Sequence, residues 1–450
     1  MTRWAVALLP WAIVALVLGA CWPGYLSFDA AFQWYQARTG EYGTVSPPQW
    51  PALWRLMLTL GLPATTGPLL LIGALHAFGA SRLATFAWRA GRPLSAWLLA
   101  TMVPACPLLL LLLPHVWTDL VLCGALLSAC ALLQAQPRQP LQHLALFALL
   151  WLAVAVRHNG IFALLPLVLL WLWPAEGAPI WPRLLRSGAV LAVLLLLNNL
   201  STSLLATRHA DTWAVTPLFD LQAVSVATER QLLPANLVGE GMDIVQLRDA
   251  FNPYSATTLF SGTRSGVLNP TVAELDSAQR KALTRAWIGL LWEPAWWSHR
   301  WRLFRGLLGP HTAPQLEPLA DSPALTTYDS NPPLTRAFPE GHERYRRFVE
   351  SMRGWLYAPG LYLLAGLLAA LLSLRRSTSR KTGDIRHIRW VLLGSAWLYT
   401  LPYLVLAPSA ETRYLLWPVL ASWLLLWLTV GGWLDDLSSR RERRAPFPAA

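Results

Sequence analysis

Long apolar blocks, separated by short polar stretches, make up the first 205 residues and return after residue 353. Each block suits a helix that crosses the roughly 30 Å hydrocarbon core of a bilayer, whereas the strict alternation typical of a membrane β-barrel is missing from the sequence. A helix also satisfies its backbone hydrogen bonds within one segment, as lipid requires. The pattern predicts an all-α polytopic membrane protein.

The apolar blocks predict about ten transmembrane helices. Their expected positions are about 4–22, 67–88, 94–113, 116–133, 142–156, 160–174, 187–205, 354–374, 390–407 and 414–434. The apolar stretch 49–61 has roughly 13 residues, where a crossing needs about 20. Counting it as a crossing would also place Arg89 and Arg92 outside, against the cytoplasmic bias of Lys and Arg. It is therefore predicted to lie in the outer interface.

Three regions follow from this arrangement. Residues 1–205 form an N-terminal transmembrane module, with a first outer loop at 23–66. Residues 206–353 form one large outer segment, which carries 15 of the 24 acidic residues and is predicted to be mostly helical. Residues 354–450 form the C-terminal transmembrane hairpins and a basic tail, and both chain ends are expected in the cytoplasm.

Composition and charge agree with a membrane protein. Hydrophobic residues make up 55% of the chain and charged residues only 13%, against about 25% charged in soluble domains. The net charge of +12 is concentrated beside predicted spans, with six Lys or Arg at 375–389 and four Arg at 440–444. These clusters are topology signals, so no nucleic-acid partner is expected. The four cysteines lack the spacing of a zinc site or a disulfide framework.

The N-terminal block has an alternative interpretation. Residues 18–21 read Leu-Gly-Ala-Cys, which resembles a lipoprotein cleavage box ending at Cys21. A retained first span is the usual case for a chain with further crossings. In both interpretations Asp29 lies on the outer side.

Candidate chemistry comes from ionisable residues predicted at the outer membrane level, where charges are costly. The first 205 residues hold only four acids: Asp29, Glu41, Asp119 and Glu176. The first three are expected to face outward. The segments AVRHNG and PSAETRYLLWP bring further polar residues to the same level: Arg157, His158, Asn159, Glu411 and Arg413.

Each of these residues also has a purely structural interpretation. Asp29 could cap a helix after Ser27. Asp119 could pair with His115 one turn earlier or with a nearby arginine. Arg157 and Arg413 could be anchors that extend to the interface. Their joint placement on one face favours a functional site.

A carboxylate can take the proton from an acceptor hydroxyl, and arginines can hold a departing phosphate in a bidentate manner. Sugars linked to polyprenyl phosphates present such a leaving group at this depth. The residues therefore suggest glycosyl transfer with Asp29 as general base, and inversion if the acceptor attacks in one step.

The same segments resemble a known family. DAAFQWYQARTGEY, followed by SPPQWPALW, looks like the first-loop signature of GT-C-fold glycosyltransferases, the superfamily of protein mannosyltransferases and aminoarabinose lipid A transferases. The segments WTDLV, RHNG and ETRYL look like motifs of a bacterial branch of that superfamily, as do LFDLQAVSVATERQLLP and RAWIGLLWEPAWWSHRWRLF in the outer segment. The similarity thus covers most of the chain.

The resemblance implies a fold, a location and a set of site residues. It implies a GT-C-like bundle in the bacterial inner membrane, with Asp29 as the catalytic base on the periplasmic side and 49–61 as one of the interfacial helices. The residues expected to bind the donor phosphate or substrate are Arg157, His158, Arg413, Asp119, Gln33, Tyr42 and Glu411. The expected partners are the lipid bilayer, a polyprenyl-phosphate sugar donor and a glycan, lipid or protein acceptor.

The chain departs from the family pattern at one position, and the resemblance also raises the question of a metal. The family commonly has His-Pro-Pro where this chain has Ser46-Pro47-Pro48, so the function of that histidine does not transfer. Some members hold a divalent metal with acids that would map onto Asp29 and Asp119. Two carboxylates without clustered histidines make a thin ligand set, so no metal or other cofactor is predicted.

The outer segment contains a predicted helix at 271–292 with one apolar face, which Pro294 should end. The following stretch, AWWSHRWRLFRGLLG, interleaves aromatic residues with Arg300, Arg302 and Arg305, as a basic helix in the interface does. Anchoring is its first interpretation, and contact of Arg300 and Arg305 with the carrier phosphate is its second. His299 is expected to be an interfacial side chain.

Two other function classes compete with glycosyl transfer. A protein that binds or transports a lipid-linked glycan would place ionisable groups near the bilayer midplane and show related halves. The sequence offers mainly Asn198 and Asn199 there, and no related halves. An O-antigen ligase-like enzyme would need an outer histidine and arginine site but no catalytic aspartate.

Overall fold

The computed structural model describes residues 2–134, 138–172, 180–239, 242–260, 266–271, 274–314, 316, 335–374 and 383–444. Within these ranges every regular element is a helix, and extended residues pair only in isolated bridges. Five helical segments there are long and apolar enough to cross a membrane: Arg3–Ala20, Thr66–Arg89, Pro93–Leu112, Ile180–Leu205 and Thr412–Arg441. The predicted all-helical class is confirmed for the described residues, and the five segments have the length and apolar composition that a membrane protein needs.

The N-terminal part of the chain folds into ten helices within the described residues. They are α1 (Arg3–Ala20), α2 (Phe28–Thr39), α3 (Gln49–Thr59), α4 (Thr66–Arg89), α5 (Pro93–Met102), α6 (Pro107–Leu112), α7 (Thr118–Leu133), α8 (Pro140–Val156), α9 (Ile161–Trp171) and α10 (Ile180–Leu205). The expected span 94–113 is interrupted, because α5 ends before Val103 and α6 starts at Pro107, whose ring nitrogen cannot donate a hydrogen bond.

Helix α4 packs against α7 at the centre of the bundle. Two glycines allow this close approach: a Cβ at Gly79 would lie 2.7 Å from Leu127, and a Cβ at Gly124 would lie 2.8 Å from Leu75. Small residues at such contacts bring helix backbones together in a membrane. As a result α7 is buried along its whole length, including Asp119 in its first turn.

The outer segment contributes five helices among the described residues. They are α11 (Val215–Thr228), α12 (Ile244–Asp249), α13 (Thr257–Phe260), α14 (Ser277–Gly289) and α15 (Pro294–Leu308). Asp276 caps α14, since its carboxylate accepts the backbone N–H of Gln279 at 2.8 Å. The predicted helix is thus present, and Pro294 begins a new helix as expected. These elements surround a second apolar core, distinct from that of the bundle.

The C-terminal part completes the bundle. Its helices are α16 (Pro339–Ser351), α17 (Pro359–Leu374), α18 (Gly383–Thr400), α19 (Tyr403–Leu406) and α20 (Leu416–Arg444). Helix α20 packs against α5, α7, α17 and α18. The basic cluster expected from residue 375 lies outside the described residues up to 382, and so does Glu176.

Helix α3 ends at Thr59, so the stretch predicted to be too short to cross is indeed a short helix. Its first residue ties it to α10: Gln49 Nε2 donates to Asn198 Oδ1 at 3.2 Å and to Ser201 Oγ at 2.8 Å. Asn198 therefore serves a contact between two helices, while Asn199 is exposed.

Candidate active site

Asp29 lies in the first turn of α2, immediately beyond α1. Ser27 is the N-cap, and its Oγ accepts the backbone N–H of Ala30 at 3.4 Å and the indole N–H of Trp117 at 2.7 Å. The cap position is therefore filled by Ser27 and not by Asp29. With its side chain 51% exposed, the Asp29 carboxylate is available for another partner.

That partner is Arg413, in the short helical turn Thr412–Leu415 that leads into α20. Its Nη2 donates to Asp29 Oδ2 at 2.7 Å, and its Nε donates to Glu411. The guanidinium lies 4.9 Å from the ring centroid of Trp117 and 5.5 Å from that of Tyr414. The Arg413 charge holds the pKa of the Asp29 carboxyl below its usual value, so Asp29 is ionised at neutral pH.

A second ion pair lies deeper in the same site. Arg157 Nη2 donates to Asp119 Oδ2, and the Arg157 guanidinium lies 5.2 Å from the centroid of Tyr414. Asp119 is only 3% exposed, so it holds Arg157 from behind. Of the two partners that the sequence allows for Asp119, the structure therefore shows an arginine and not His115. Arg157 and Arg413 both line a common cavity.

The cavity has a volume of ≈ 360 Å³ and lies between α2 and the segments that precede α7, α9 and α20. Its polar lining includes Asp29, Gln33, Arg157, His158 and Arg413. Its apolar lining includes Phe28, Phe32, Trp117 and Tyr414. We call it the inner cavity.

A second cavity of ≈ 240 Å³ adjoins the first, and we call it the outer cavity. It is lined by Ser27, Thr312, Pro314 and Glu411. Four residues line both cavities: Phe28, Asp29, Trp117 and Arg413. The Asp29–Arg413 pair thus forms part of the wall between two adjoining spaces.

The sequence predicts seven residues at the binding site beside Asp29; five of them line the cavities, one lies behind the lining and one lies elsewhere. Arg157, His158, Gln33 and Arg413 line the inner cavity, and Glu411 lines the outer one. Asp119 touches the site only through Arg157. Tyr42 lies elsewhere: its side chain is buried and its carbonyl accepts the backbone N–H groups of Thr207 and Arg208, so it does not line either cavity.

The two candidate carrier contacts also separate. Arg305 is exposed on α15. Arg300 is fully buried with Asp220, so the prediction that it contacts a carrier phosphate was wrong: it has no surface for a ligand. His299 likewise lies inside, 3.4 Å from Asp220 Oδ1, and not at an interface.

The structure adds residues that the sequence did not single out. Tyr414 and Tyr403 stack with ring centroids 5.7 Å apart, and Asn159 donates to the Tyr403 hydroxyl. Thr312 brings the outer segment to the outer cavity. Tyr414 adjoins Arg413 in the sequence, which was a usable signal, but nothing in the local sequence distinguishes Thr312.

A metal site would need several ligands close together. Among the described residues, no group of three or more His, Cys, Asp or Glu side chains is arranged to hold an ion. The two aspartates of the site are instead bound to different arginines, Asp29 to Arg413 and Asp119 to Arg157.

The chain matches no family model, no curated protein and no solved structure. The residues and geometry of the site are therefore the grounds for a functional proposal.

Proposed function

We propose that this protein is an integral-membrane glycosyltransferase of GT-C type that transfers a sugar from a polyprenyl-phosphate carrier to an acceptor hydroxyl on the periplasmic face of the bacterial inner membrane. The proposal includes ten crossings with both termini in the cytoplasm. Its main support is one observation: Asp29, paired with Arg413, lines both of two adjoining cavities.

In this proposal the inner cavity holds the donor. Arg157 and Arg413 line it from two different segments of the chain, and His158 adds an imidazole. Guanidinium groups bind phosphate oxygens through paired hydrogen bonds, and the aromatic side chains provide apolar contact. Such a lining suits a sugar phosphate whose lipid tail stays in the bilayer.

The outer cavity holds the acceptor. The acceptor hydroxyl oxygen attacks the anomeric carbon as the bond from that carbon to the phosphate oxygen breaks. The hydroxyl proton passes to the Asp29 carboxylate, and the carrier phosphate leaves with the bonding electrons. A single displacement of this kind inverts the anomeric configuration.

Arg413 connects binding with base strength. While it donates to Asp29, it keeps the pKa of that carboxyl low, which makes the carboxylate a weak base. A donor phosphate in the inner cavity competes for the same guanidinium. As Arg413 turns to the phosphate, the pKa of Asp29 rises and the carboxylate becomes a better proton acceptor.

The test begins with mass spectrometry of envelope glycans and lipid A in a deletion strain, which identifies the decoration that disappears. The strain is then complemented with wild-type protein, Asp29→Asn or Glu41→Gln. Loss of a general base slows transfer by about 10²- to 10⁴-fold, so the Asn variant should not restore the decoration.

Glu41→Gln is the matched control, because Glu41 is the other acid of the first loop and pairs with Arg208 outside both cavities. It should restore the decoration fully. An Asp29→Asn protein that folds and remains fully active would remove the base from the proposal, and would favour a ligase-like enzyme that uses His158 and Arg157. An unchanged envelope together with altered lipid-linked precursors would favour transport.

A further inference from the structure

The loop in front of Arg413 has no helical structure of its own, yet its backbone is held almost residue by residue. Helix α19 ends at Leu406, and the turn with Arg413 starts at Thr412. Every contact described next comes from residues of the outer segment. We call residues 406–412 the arginine loop; it consists of the non-helical stretch 407–411 and the helical residue at each end.

Backbone groups of the arginine loop form four hydrogen bonds with three parts of the outer segment. The contacts are Thr216 Oγ1 to Leu406 O at 3.1 Å, Arg300 Nη1 to Ala407 O at 2.6 Å, Ala256 N to Pro408 O at 3.1 Å and Ala410 N to Tyr254 O at 2.8 Å. In addition, the hydroxyls of Thr312 and Thr412 lie 2.8 Å apart. A loop satisfied in this way has few alternative conformations.

Arg300 makes the strongest of these contacts, since it donates from a charged group to a carbonyl inside the protein. Its other nitrogens face Asp220: Nε donates to Oδ2 at 3.0 Å, and Nη2 lies 2.6 Å from the same oxygen. The planar guanidinium is thereby fixed in orientation, with Nη1 aimed at Ala407.

Asp220 is itself fixed from two further directions. The indole N–H groups of Trp287 and Trp296 donate to its Oδ2 at 2.7 Å and 2.8 Å. Trp287 lies in α14, Trp296 in α15 and Asp220 in α11, so three helices meet at one carboxylate oxygen. The orientation of the Arg300 fork thus depends on the packing of the whole outer segment.

We propose that Asp220 and Arg300 are positioning residues for Arg413: they hold the arginine loop through the Ala407 carbonyl and so aim Glu411 and Arg413 at the wall between the two cavities. The claim rests on the proposed function only for the identity of the ligand of Arg413, a phosphate. The large outer segment then has a definite task, which is to order part of a site that the membrane bundle cannot complete alone.

The simpler explanation is that the cluster only stabilises the outer segment. That explanation predicts a loss of stability without a specific effect on the arginine loop. It also predicts that a change at residue 300 affects ligand binding equally whether or not Arg413 is present. Positioning predicts a specific effect on the arginine loop, and an effect on ligand binding only when Arg413 is present. A double-mutant cycle can therefore separate the two explanations.

The first experiment measures backbone amide hydrogen exchange in the purified full chain. In Arg300→Lys the charge opposite Asp220 is kept, but one ammonium cannot reproduce the fork that also reaches Ala407. Amide protection at 409–414 should fall by about tenfold or more, while α7 is unchanged. Arg302→Lys, an exposed arginine on the same helix, should leave both regions as they are.

Thr216→Val provides a milder variant in case Arg300→Lys does not fold. It removes only the hydroxyl that donates to Leu406 O, and it should lower protection of the same amides by a smaller factor. Unchanged protection of the arginine loop in both variants would overturn the proposal.

The second experiment measures the binding of farnesyl phosphate to four proteins: wild type, Arg300→Lys, Arg413→Lys and the double variant. Arg300→Lys should weaken binding by about tenfold when Arg413 is present and have no further effect when it is absent. An equal loss in both backgrounds would overturn positioning in favour of simple stabilisation.

The two experiments distinguish failure of the positioning proposal from failure of the proposed function. If wild-type protein does not bind farnesyl phosphate while Arg300→Lys still loosens the arginine loop, the positioning of Arg413 stands and the phosphate donor of the proposed function is contradicted.

Discussion

Two of the aspartate–arginine pairs have nearly equal lengths but lie in very different surroundings. Asp29 and Arg413 approach to 2.7 Å beside two cavities, with the carboxylate half exposed. Asp220 and Arg300 approach to 2.6 Å inside the outer segment, where both side chains are 0% exposed. The same two chemical groups therefore do different work: the first pair can exchange partners, whereas the second cannot separate without leaving a charge buried.

The largest effect on stability should come from breaking the buried pair. Asp220→Asn leaves Arg300 charged and without its carboxylate, which costs about 3–5 kcal/mol of unfolding free energy. Thermal unfolding of the purified protein measures this loss, and Asp29→Asn serves as the control with little change. Equal unfolding temperatures for Asp220→Asn and wild type would contradict the difference between the pairs.

Breaking the exposed pair should instead change the pH dependence of kcat/KM. Because the Arg413 charge lowers the pKa of the Asp29 carboxyl, Arg413→Gln should raise that pKa. Asp29 accepts a proton only when ionised, so transfer declines as the pH falls through its pKa. The acidic limb of kcat/KM should therefore lie at higher pH in Arg413→Gln, alongside a lower maximal rate.

A pH profile of Arg413→Gln that keeps its acidic limb at the wild-type position, merely scaled down, would mean that Arg413 does not set the pKa of Asp29. The ionised Arg157 remains in this variant and still lowers that pKa, so the shift should be smaller than complete loss of both arginines would give.

The smallest effect is expected at Arg305, which shares helix α15 with Arg300 but is exposed. Arg305→Gln should change the free energy of unfolding by no more than about 0.5 kcal/mol. Arg300→Gln, five residues earlier, should cost several times more. Comparable losses in the two variants would show that burial does not distinguish these arginines.

The residues around the exposed pair, Asp29 and Arg413, could be predicted from the sequence. Asp29, Arg157 and Arg413 were singled out because charges at a membrane surface are costly and few, and their neighbours in the sequence mark the ends of apolar blocks. The short helix α3 followed from its length, and the break at Pro294 followed from backbone chemistry. These signals are local or depend on the membrane, so a single sequence contains them.

The buried pair, Asp220 and Arg300, could not be predicted in the same way. Arg300 stands among tryptophans, a pattern that fits a helix at an interface equally well. Its carboxylate partner is Asp220, far away along the chain in another helix, and no local spacing joins them. Tyr42 failed for a related reason: it belongs to a polar cluster, but its carbonyl is used to hold the chain near Thr207.

The lengths of two helices also show what the apolar pattern alone misses. Apolar blocks at 116–133 and 142–156 correspond to helices of 16 and 17 residues, shorter than the roughly 20 that a perpendicular crossing uses. Composition defines where a block is apolar, but the helices themselves begin at Thr118 and at Pro140.

The size of the inner cavity limits the kind of synthesis that such an enzyme can perform. At ≈ 360 Å³ it is near the lower end of the range for small-molecule pockets, about 300–1,000 Å³. That space suits a single saccharide unit with its phosphate better than a preassembled oligosaccharide. Under the proposed function each donor would deliver one saccharide unit, and the spent lipid phosphate would leave before the next donor binds.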